Sequence, residues 1–474
     1  MPHLHPGQHI HLVGIGGSGL SAIARVLLGQ GYTVSGSDRS RNEVMAALER
    51  DGATVYTGHA PEQIQGADAV IMTSAITTTH VEIQAALAAG IPVYKRQDIM
   101  ADLMVGQRVI AVAGTKGKTT TTAMIVHLLR ECGGDPSYIV GGVLSNTGTN
   151  AGVGNGGLFV VEADEYDNMF HGLRPDVIVL TNVEYDHPDF FKTPDEMVES
   201  FRHFLHLLPR DKAHLLVACG EDAQARQLRG EMADAGYTQT RLYGLSGAAD
   251  IHAGHIHLDD SGRTCFDIIK SGSDGKATNQ GTIRLQQPGK HNVLNALAAY
   301  TTVHAVTDAA HDVLAAALES FASTGRRFEL RGEVDDIAVI DDYAHNPTSI
   351  RVTLEAARQR YPGRAIWAVW QPHTYSRTQA LLDGFAAAFA AANHVLVTDI
   401  YAAREQPMPG VDAPMVAGHI QHAKARPSGN LEQTAALLLA EVASPAVILI
   451  MSAGDAPVIG QRFLDSRRAR IGEK

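Results

Sequence analysis

Three successive α/β domains are what this sequence predicts, and three observations predict them. Short apolar runs alternate with helical stretches in an opening and a closing part of the chain. Between these parts, a strand, a Gly–Lys–Thr turn and a helix open a third α/β block. The 474 residues are 45 % hydrophobic and 19 % charged, enough apolar matter for the two to four domains expected at this length.

In the first block, HIHLVGIGG reads as a strand, residues 20–30 as a helix, YTVSGSD as a strand, residues 43–51 as a helix and DAVIMTSAI as a strand. This βαβ rhythm implies a parallel sheet. Residues 106–108 form the join. The second block holds strands at 109–113, 158–161 and 177–181, a polar glycine-rich stretch at 246–281 that alternates like antiparallel hairpins, and a helix around 292–306. The third returns to βα alternation: IAVIDDYAH, a helix through 349–360, AIWAVWQPH, a helix around 380–392, HVLVTDIY and AVILIMSAG. The expected domains are 1–106, 107–325 and 326–474.

A formal charge of -12 argues against nucleic-acid backbones and anionic membranes as general partners. Cys132, Cys219 and Cys265 form no CxxC pair and read as reduced thiols. No apolar run approaches the roughly 18 residues of a membrane span, and the histidine-rich start is not a basic-then-apolar signal. The expectation is a soluble, cytoplasmic protein.

The strongest chemical signal is VIAVAGTKGKTTTT, residues 109–122. A strand feeding a glycine turn and a helix presents amides and a positive helix end to an anion, and Lys118 adds a point charge. Thr119 is placed to ligate the magnesium that accompanies a nucleoside triphosphate. The pattern is a shortened phosphate loop, with Val112 where the general form has glycine. Of the four threonines, only Thr119 and Thr120 are given chemistry.

A second turn, Gly14, Gly16, Gly17, Ser18 and Gly19, also follows a strand and opens a helix, with Asp38 at the end of the next strand. Alone it suggests a nicotinamide or flavin enzyme, or a turn chosen for close packing. Beside the triphosphate site it reads as the holder of a diphosphate on another ligand. Glu162 opens EADEYD, with Asp164, Glu165 and Asp167 behind it, at a strand end where a carboxylate binds magnesium directly or through water. Asn182, Glu184, Asp186 and His187 follow another buried run, and the Asp–His pair suits a second metal or a substrate carboxyl, with a satisfied loop histidine as the alternative. His3, His5, His9 and His11 are set aside as metal ligands because a chain end frays. His252, His255 and His257 are set aside because they alternate along a polar strand.

These motifs together resemble the Mur ligase family, the ATP-dependent amide-forming enzymes of peptidoglycan precursor assembly. The resemblance rests on GTKGKTTTT at Gly114, EADEYD at Glu162, TNVEYDHPD at Thr181, GKHNVLNALAA at Gly289 and GRRFE at Gly325. HLVGIGGSGLSAIA at His11, YTVSGSD at Tyr32, DDYAHNPTSI at Asp341, QPHTYSRT at Gln371 and TDIYAAREQP at Thr398 resemble the member that adds a first L-alanine. The resemblance implies a Rossmann-like UDP-binding domain, a central P-loop-type ATPase domain and a Rossmann-like closing domain. It implies that L-alanine joins the carboxylate of UDP-N-acetylmuramate through an acyl phosphate, with ATP and Mg2+ (Mn2+ as an alternative). No nucleic-acid or membrane partner is implied, and the assembly is a monomer or homodimer. The alternatives are a recycling ligase that adds a tripeptide to the same sugar nucleotide and, in a different class, an oxidoreductase built on residues 14–19.

Carried over residue by residue, the resemblance assigns the ATP loop to Gly114, Thr115, Lys116, Gly117, Lys118, Thr119 and Thr120, with Lys118 on the β- and γ-phosphates. Thr119 and Glu162 take one magnesium, and His187 a second metal or the reacting carboxylate. Asn292 and Asn295 take the adenine side. Arg327, Asp342 and Tyr343 reach ATP from the third domain, and His373 and Arg377 face the amino acid. Gly14, Gly16, Gly17, Ser18, Gly19, Asp38 and Ser74 hold the UDP-sugar. Lys116 and Asn346 stand where the alanine-adding member commonly has histidine, and Thr374 where it commonly has arginine. The last departure leaves the amino acid's carboxylate to Arg377, with His373.

Overall fold

A computed structural model describes residues 4–210, 214–272, 275–403 and 405–472. His3 and the Arg404 of TDIYAAREQP lie outside the described residues. The first sheet contains β1 (His9–Val13), β2 (Thr33–Asp38), β3 (Thr54–Thr57), β4 (Ala69–Met72) and β5 (Val93–Lys95), in the order β3-β2-β1-β4-β5. All its pairings are parallel, as the βαβ rhythm predicts. Strand order reverses between β1 and β4, so a crevice opens at their carboxyl ends, where residues 14–19 lie.

The last two of the N-terminal histidines do not fray. His9 and His11 belong to β1, and His11 is fully buried, with Nδ1 2.8 Å from Ser35 Oγ and Nε2 3.2 Å from Glu82 Oε2. The Ser37 hydroxyl donates to the same carboxylate oxygen at 2.7 Å. Burial pushes the Glu82 carboxyl up, and its bonds from His11 and Ser37 outweigh that and hold it below its ordinary value. The polar pattern of this segment is an internal network that pairing in a central strand makes rigid.

The second sheet contains β6 (Arg108–Ala113), β7 (Ser137–Ile139), β8 (Ala151–Gly152), β9 (Leu158–Glu162), β10 (Val177–Leu180), β11 (Leu215–Cys219), β12 (Thr240–Gly244), β13 (Ile251–Leu258), β14 (Thr264–Ser271) and β15 (Ala277–Leu285). Its order is β15-β14-β13-β12-β11-β10-β6-β9-β7-β8, with β6 parallel to both β9 and β10. The antiparallel β13, β14 and β15 confirm the hairpin reading of the polar stretch. The exposed His255 on β13 pairs with Asp267 at 2.9 Å. Helix Lys118–Glu131 is buried from Thr119 to Leu129, so the threonine run is core, packed against helix Lys290–Thr307.

The third sheet contains β16 (Glu329–Val334), β17 (Ile337–Asp342), β18 (Ala365–Trp370), β19 (His394–Thr398), β20 (Ala425–Gly429) and β21 (Ala446–Met451), in the order β16-β17-β21-β18-β19-β20. Only the edge strand β16 is antiparallel. The single helix expected at 380–392 is instead two short ones, Tyr375–Ala380 and Leu382–Ala386, followed by turns. Packing overrides the helical alanines here: the rings of Phe385 and Phe389 close on Trp370 at 4.4 and 5.4 Å.

Candidate active site

The Gly–Lys–Thr turn follows β6, between the carboxyl ends of β9 and β10, and its shape is enforced from both sides. Gly114 has φ of 135°, and a Cβ there would overlap Thr181 Oγ1. Gly117 has φ of 82°, and a Cβ there would lie 2.5 Å from Asn295 Oδ1. Only glycine fits both positions. The Thr115 amide donates to Asn182 O at 3.0 Å, and the Lys116 amide to Asn182 Oδ1 at 2.9 Å. Lys116 O accepts from Thr181 Oγ1 and Asn182 Nδ2, while its ammonium pairs with Glu184. The loop is thereby held open toward an anion at the helix start. Asn292 and Asn295 lie behind it: Asn295 accepts from Thr121 Oγ1 at 3.3 Å and donates to Asn292 Oδ1 at 3.2 Å.

Lys118 Nζ lies 2.8 Å from Glu165 Oε2, a carboxylate that also faces His187 Nε2 at 3.5 Å. Burial would lower the Lys118 ammonium, but Glu165, Asp164 and Glu162 outweigh it and raise it. Glu162 accepts from Thr119 Oγ1 at 2.9 Å and from the Gly141 amide at 2.6 Å. Burial pushes the Glu162 carboxyl up. Thr119 and Glu162 thus converge as hard oxygen donors, a set that suits a divalent cation. Glu165 as the partner of Lys118 was not anticipated, since a pairing across 47 residues leaves no local pattern.

The third sheet brings its residues to the same place. Arg377 Nε lies 3.2 Å from Asp186 Oδ1, and its two terminal nitrogens lie 3.2 Å from His187 Nδ1 and His373 Nδ1. Burial raises the Asp186 carboxyl, but Arg377, His187 and His345 together hold it well below the usual carboxylate range. Burial lowers His187, while Glu165 and Asp186 push it up to a net rise. Asn346 Nδ2 donates to Asp186 Oδ2 at 3.4 Å and Thr348 Oγ1 to Glu184 Oε2 at 2.9 Å. Arg327 Nη2 donates to Thr119 Oγ1 at 3.2 Å, and its guanidinium lies 5.0 Å from the centre of the Tyr343 ring. Asp342 accepts from the Phe328 and Ala344 amides, both at 2.8 Å, and so shapes its own loop. Thr374, with φ of 62°, precedes a helix start whose Tyr375 and Ser376 amides donate to Glu405 Oε2 at 2.7 and 2.9 Å.

At the first turn, the Gly16 amide donates to Asp38 Oδ2 at 3.0 Å and the Arg39 amide to Asp38 Oδ1 at 2.8 Å. One Asp38 oxygen thus holds the glycine turn and the other holds its own loop. Ser74 follows β4 beside Thr73, whose methyl crowds Gly14. A cavity of about 110 Å3, lined by Ser18, Gly19, Arg96, Gly141, Glu162 and Asp164 among others, connects this turn with the carboxylate at the Gly–Lys–Thr site.

Residues 9–108 match the Mur ligase family catalytic domain, 112–303 the Mur ligase middle domain and 326–454 the Mur ligase glutamate ligase domain. The chain is 41 % identical to the UDP-N-acetylmuramate–L-alanine ligase of Roseiflexus sp. (strain RS-1), over 97 % of this chain and 99 % of that protein. Among solved structures, the UDP-N-acetylmuramate–alanine ligase of Thermotoga maritima is similar, with TM-score 0.81 and 26 % identity over 98 % of this chain and 100 % of that one. A murein peptide ligase from Psychrobacter arcticus is similar at TM-score 0.71 and 25 % identity, over 97 % and 99 %. This chain belongs to the Mur ligase family, ATP-dependent enzymes that form amide bonds.

Proposed function

We propose that this chain joins L-alanine to the carboxylate of UDP-N-acetylmuramate, with ATP as phosphoryl donor, in peptidoglycan precursor synthesis. The observation that carries the reading is the cavity running from the helix start at Ser18 to Glu162. It offers a sugar nucleotide held at residues 14–19 a path to the triphosphate loop. In this reading the domains are 1–106 for the sugar nucleotide, 107–325 for ATP and 326–474 for the amino acid.

A carboxylate oxygen of the sugar attacks the γ-phosphorus of ATP, and the bond to the leaving ADP oxygen breaks. The alanine amine then attacks the acyl carbon of the acyl phosphate, its carbon–oxygen bond breaks and phosphate departs. The protein's task is alignment and charge neutralisation. Lys118 neutralises the β- and γ-phosphates on leaving Glu165, and Arg327 approaches the same oxygens from the third domain. Thr119 and Glu162 would hold Mg2+, or Mn2+ as an alternative, which supplies further neutralisation of the phosphate oxygens when bound. His187 faces the reacting carboxylate or a second metal, and His373 and Arg377 take the alanine carboxylate. The reading puts the enzyme in the cytoplasm as a monomer or homodimer, in keeping with its unpaired Cys132, Cys219 and Cys265.

Phosphate release with UDP-N-acetylmuramate, ATP and a panel of amino acids and peptides tests this. Release that depends on both the sugar nucleotide and L-alanine is expected; release with a tripeptide alone would make this a recycling ligase. Calorimetric titration is expected to give heat with UDP-N-acetylmuramate and none with NAD. Tight NAD binding without sugar-nucleotide heat would restore the oxidoreductase reading of residues 14–19.

Thr374 bears on specificity. Without the family's arginine, one bidentate charge-assisted contact to the amino acid is missing, worth roughly 1.5–3 kcal/mol. The expected result is a high KM for L-alanine and loose discrimination among L-alanine, glycine and L-serine, with Thr374→Arg lowering the alanine KM. Sharp wild-type preference together with no gain in the variant would show that Thr374 does not face the amino acid.

A further inference from the structure

Beside the first turn lies an arginine, Arg96, that the family resemblance did not single out. Helix Ser18–Gly29 begins at Gly17 without a side-chain cap and without an acidic residue in its first turn, and Asp38 reaches only the preceding Gly16 amide, so the amides of the first turn have no side-chain partner among the described residues. Arg96 lies over that helix start. A Cβ built on Gly19 would sit 2.5 Å from Arg96 Nη1, so the guanidinium occupies the space a side chain at position 19 would need. In redox dinucleotide turns the third glycine serves close helix–strand packing. Here the group nearest that position is a cation, which a side chain at position 19 would displace.

Arg96 is held there from behind. It opens the short helix Arg96–Ile99 directly after β5, and the Lys95 amide donates to Asp98 Oδ2 at 2.8 Å. The Gln97 carbonyl packs so closely on Gly172 that a Cβ there would overlap it. The Arg96 side chain is 16 % exposed and pairs only loosely, at 3.9 Å, with Asp164 Oδ2. Its other face lines the cavity together with Ser18 and Gly19. An uncapped helix start and a preorganised guanidinium on one side of one cavity make a site for a dianion with adjacent oxygens.

We propose that Arg96, admitted by Gly19, is a specificity-determining residue that grips the diphosphate of the sugar nucleotide. The proposal rests on the UDP-sugar reading of residues 14–19. Calorimetry with UDP and with UDP-N-acetylmuramate, on wild type, Arg96→Ala, Gly19→Ala and the double variant, tests it, with thermal melts confirming that each is folded. Arg96→Ala is expected to weaken both ligands by the same factor, about tenfold or more, and to leave the KM for ATP unchanged. Gly19→Ala, by displacing the guanidinium, is expected to weaken both similarly, and the double variant to be no weaker than Arg96→Ala by more than about twofold. Arg96→Ala binding UDP like wild type, or additive losses in the double variant, would overturn the proposal while leaving the UDP-sugar reading intact. A wild type that binds neither UDP nor UDP-N-acetylmuramate overturns both.

Discussion

Lys118→Ala is expected to lower ligation turnover by on the order of 10²-fold or more, because it removes a preorganised charge from a phosphoryl-transfer centre. The fold is expected to persist by circular dichroism with a reduced melting temperature. Glu165, which is fully buried, would keep only His187 as a charged partner among the groups that now pair with it. Lys118→Met, which keeps the apolar stem, separates the loss of charge from the loss of packing and is expected to be as inactive as the alanine variant. A folded variant turning over near the wild-type rate would remove Lys118 from the chemistry.

Arg377→Ala is expected to damage both stability and amino-acid use. Asp186 is almost fully buried, and breaking a buried ion pair on one side typically costs about 3–5 kcal/mol. Because the folded Asp186 carboxyl is held below its ordinary value, it contributes stability at pH above the unfolded value, and that contribution is lost as pH falls. The melting-temperature gap between wild type and variant is therefore expected to be widest near neutrality, to begin narrowing as pH drops below about 4 and to go on narrowing toward the lower value of the folded carboxyl. A gap independent of pH would mean that lost packing, not the ion pair, accounts for the destabilisation. The KM for L-alanine is expected to rise at least about tenfold with little change in that for ATP. Arg377→Lys is expected to recover part of the stability but not the KM for L-alanine.

What was legible in the sequence was local. Strand, glycine turn, lysine and hydroxyl occur within one stretch, so Lys118 and Thr119 were readable, as was Glu162 at the end of a buried strand. Polar alternation over residues 246–281 announced β13, β14 and β15, since period-two patterning needs no distant partner. Pairings across long separations left no such trace. The bonds of Lys118 to Glu165 and of Arg377 to Asp186, and the seat of Arg96 on Gly19, arise only when loop ends far apart in the sequence meet, within the second sheet, between the second and the third, and within the first. The fraying expected of His11 fails for the same reason: its environment is Ser35 on the neighbouring strand and Glu82 on the helix Val81–Ala88, not its place near the start of the chain. The helix expected at 380–392 failed because Phe385 and Phe389 answer to Trp370 before they answer to helical period.

Transfer of a heavy-oxygen label tests the central claim most directly. UDP-N-acetylmuramate labelled in its carboxylate, incubated with ATP and L-alanine, is expected to give up one labelled oxygen to each phosphate released, because the acyl carbon–oxygen bond breaks after phosphorylation. Phosphate released without label, while an amide product forms, would contradict the acyl-phosphate route and the placement of the sugar carboxylate beside Lys118 and Glu162.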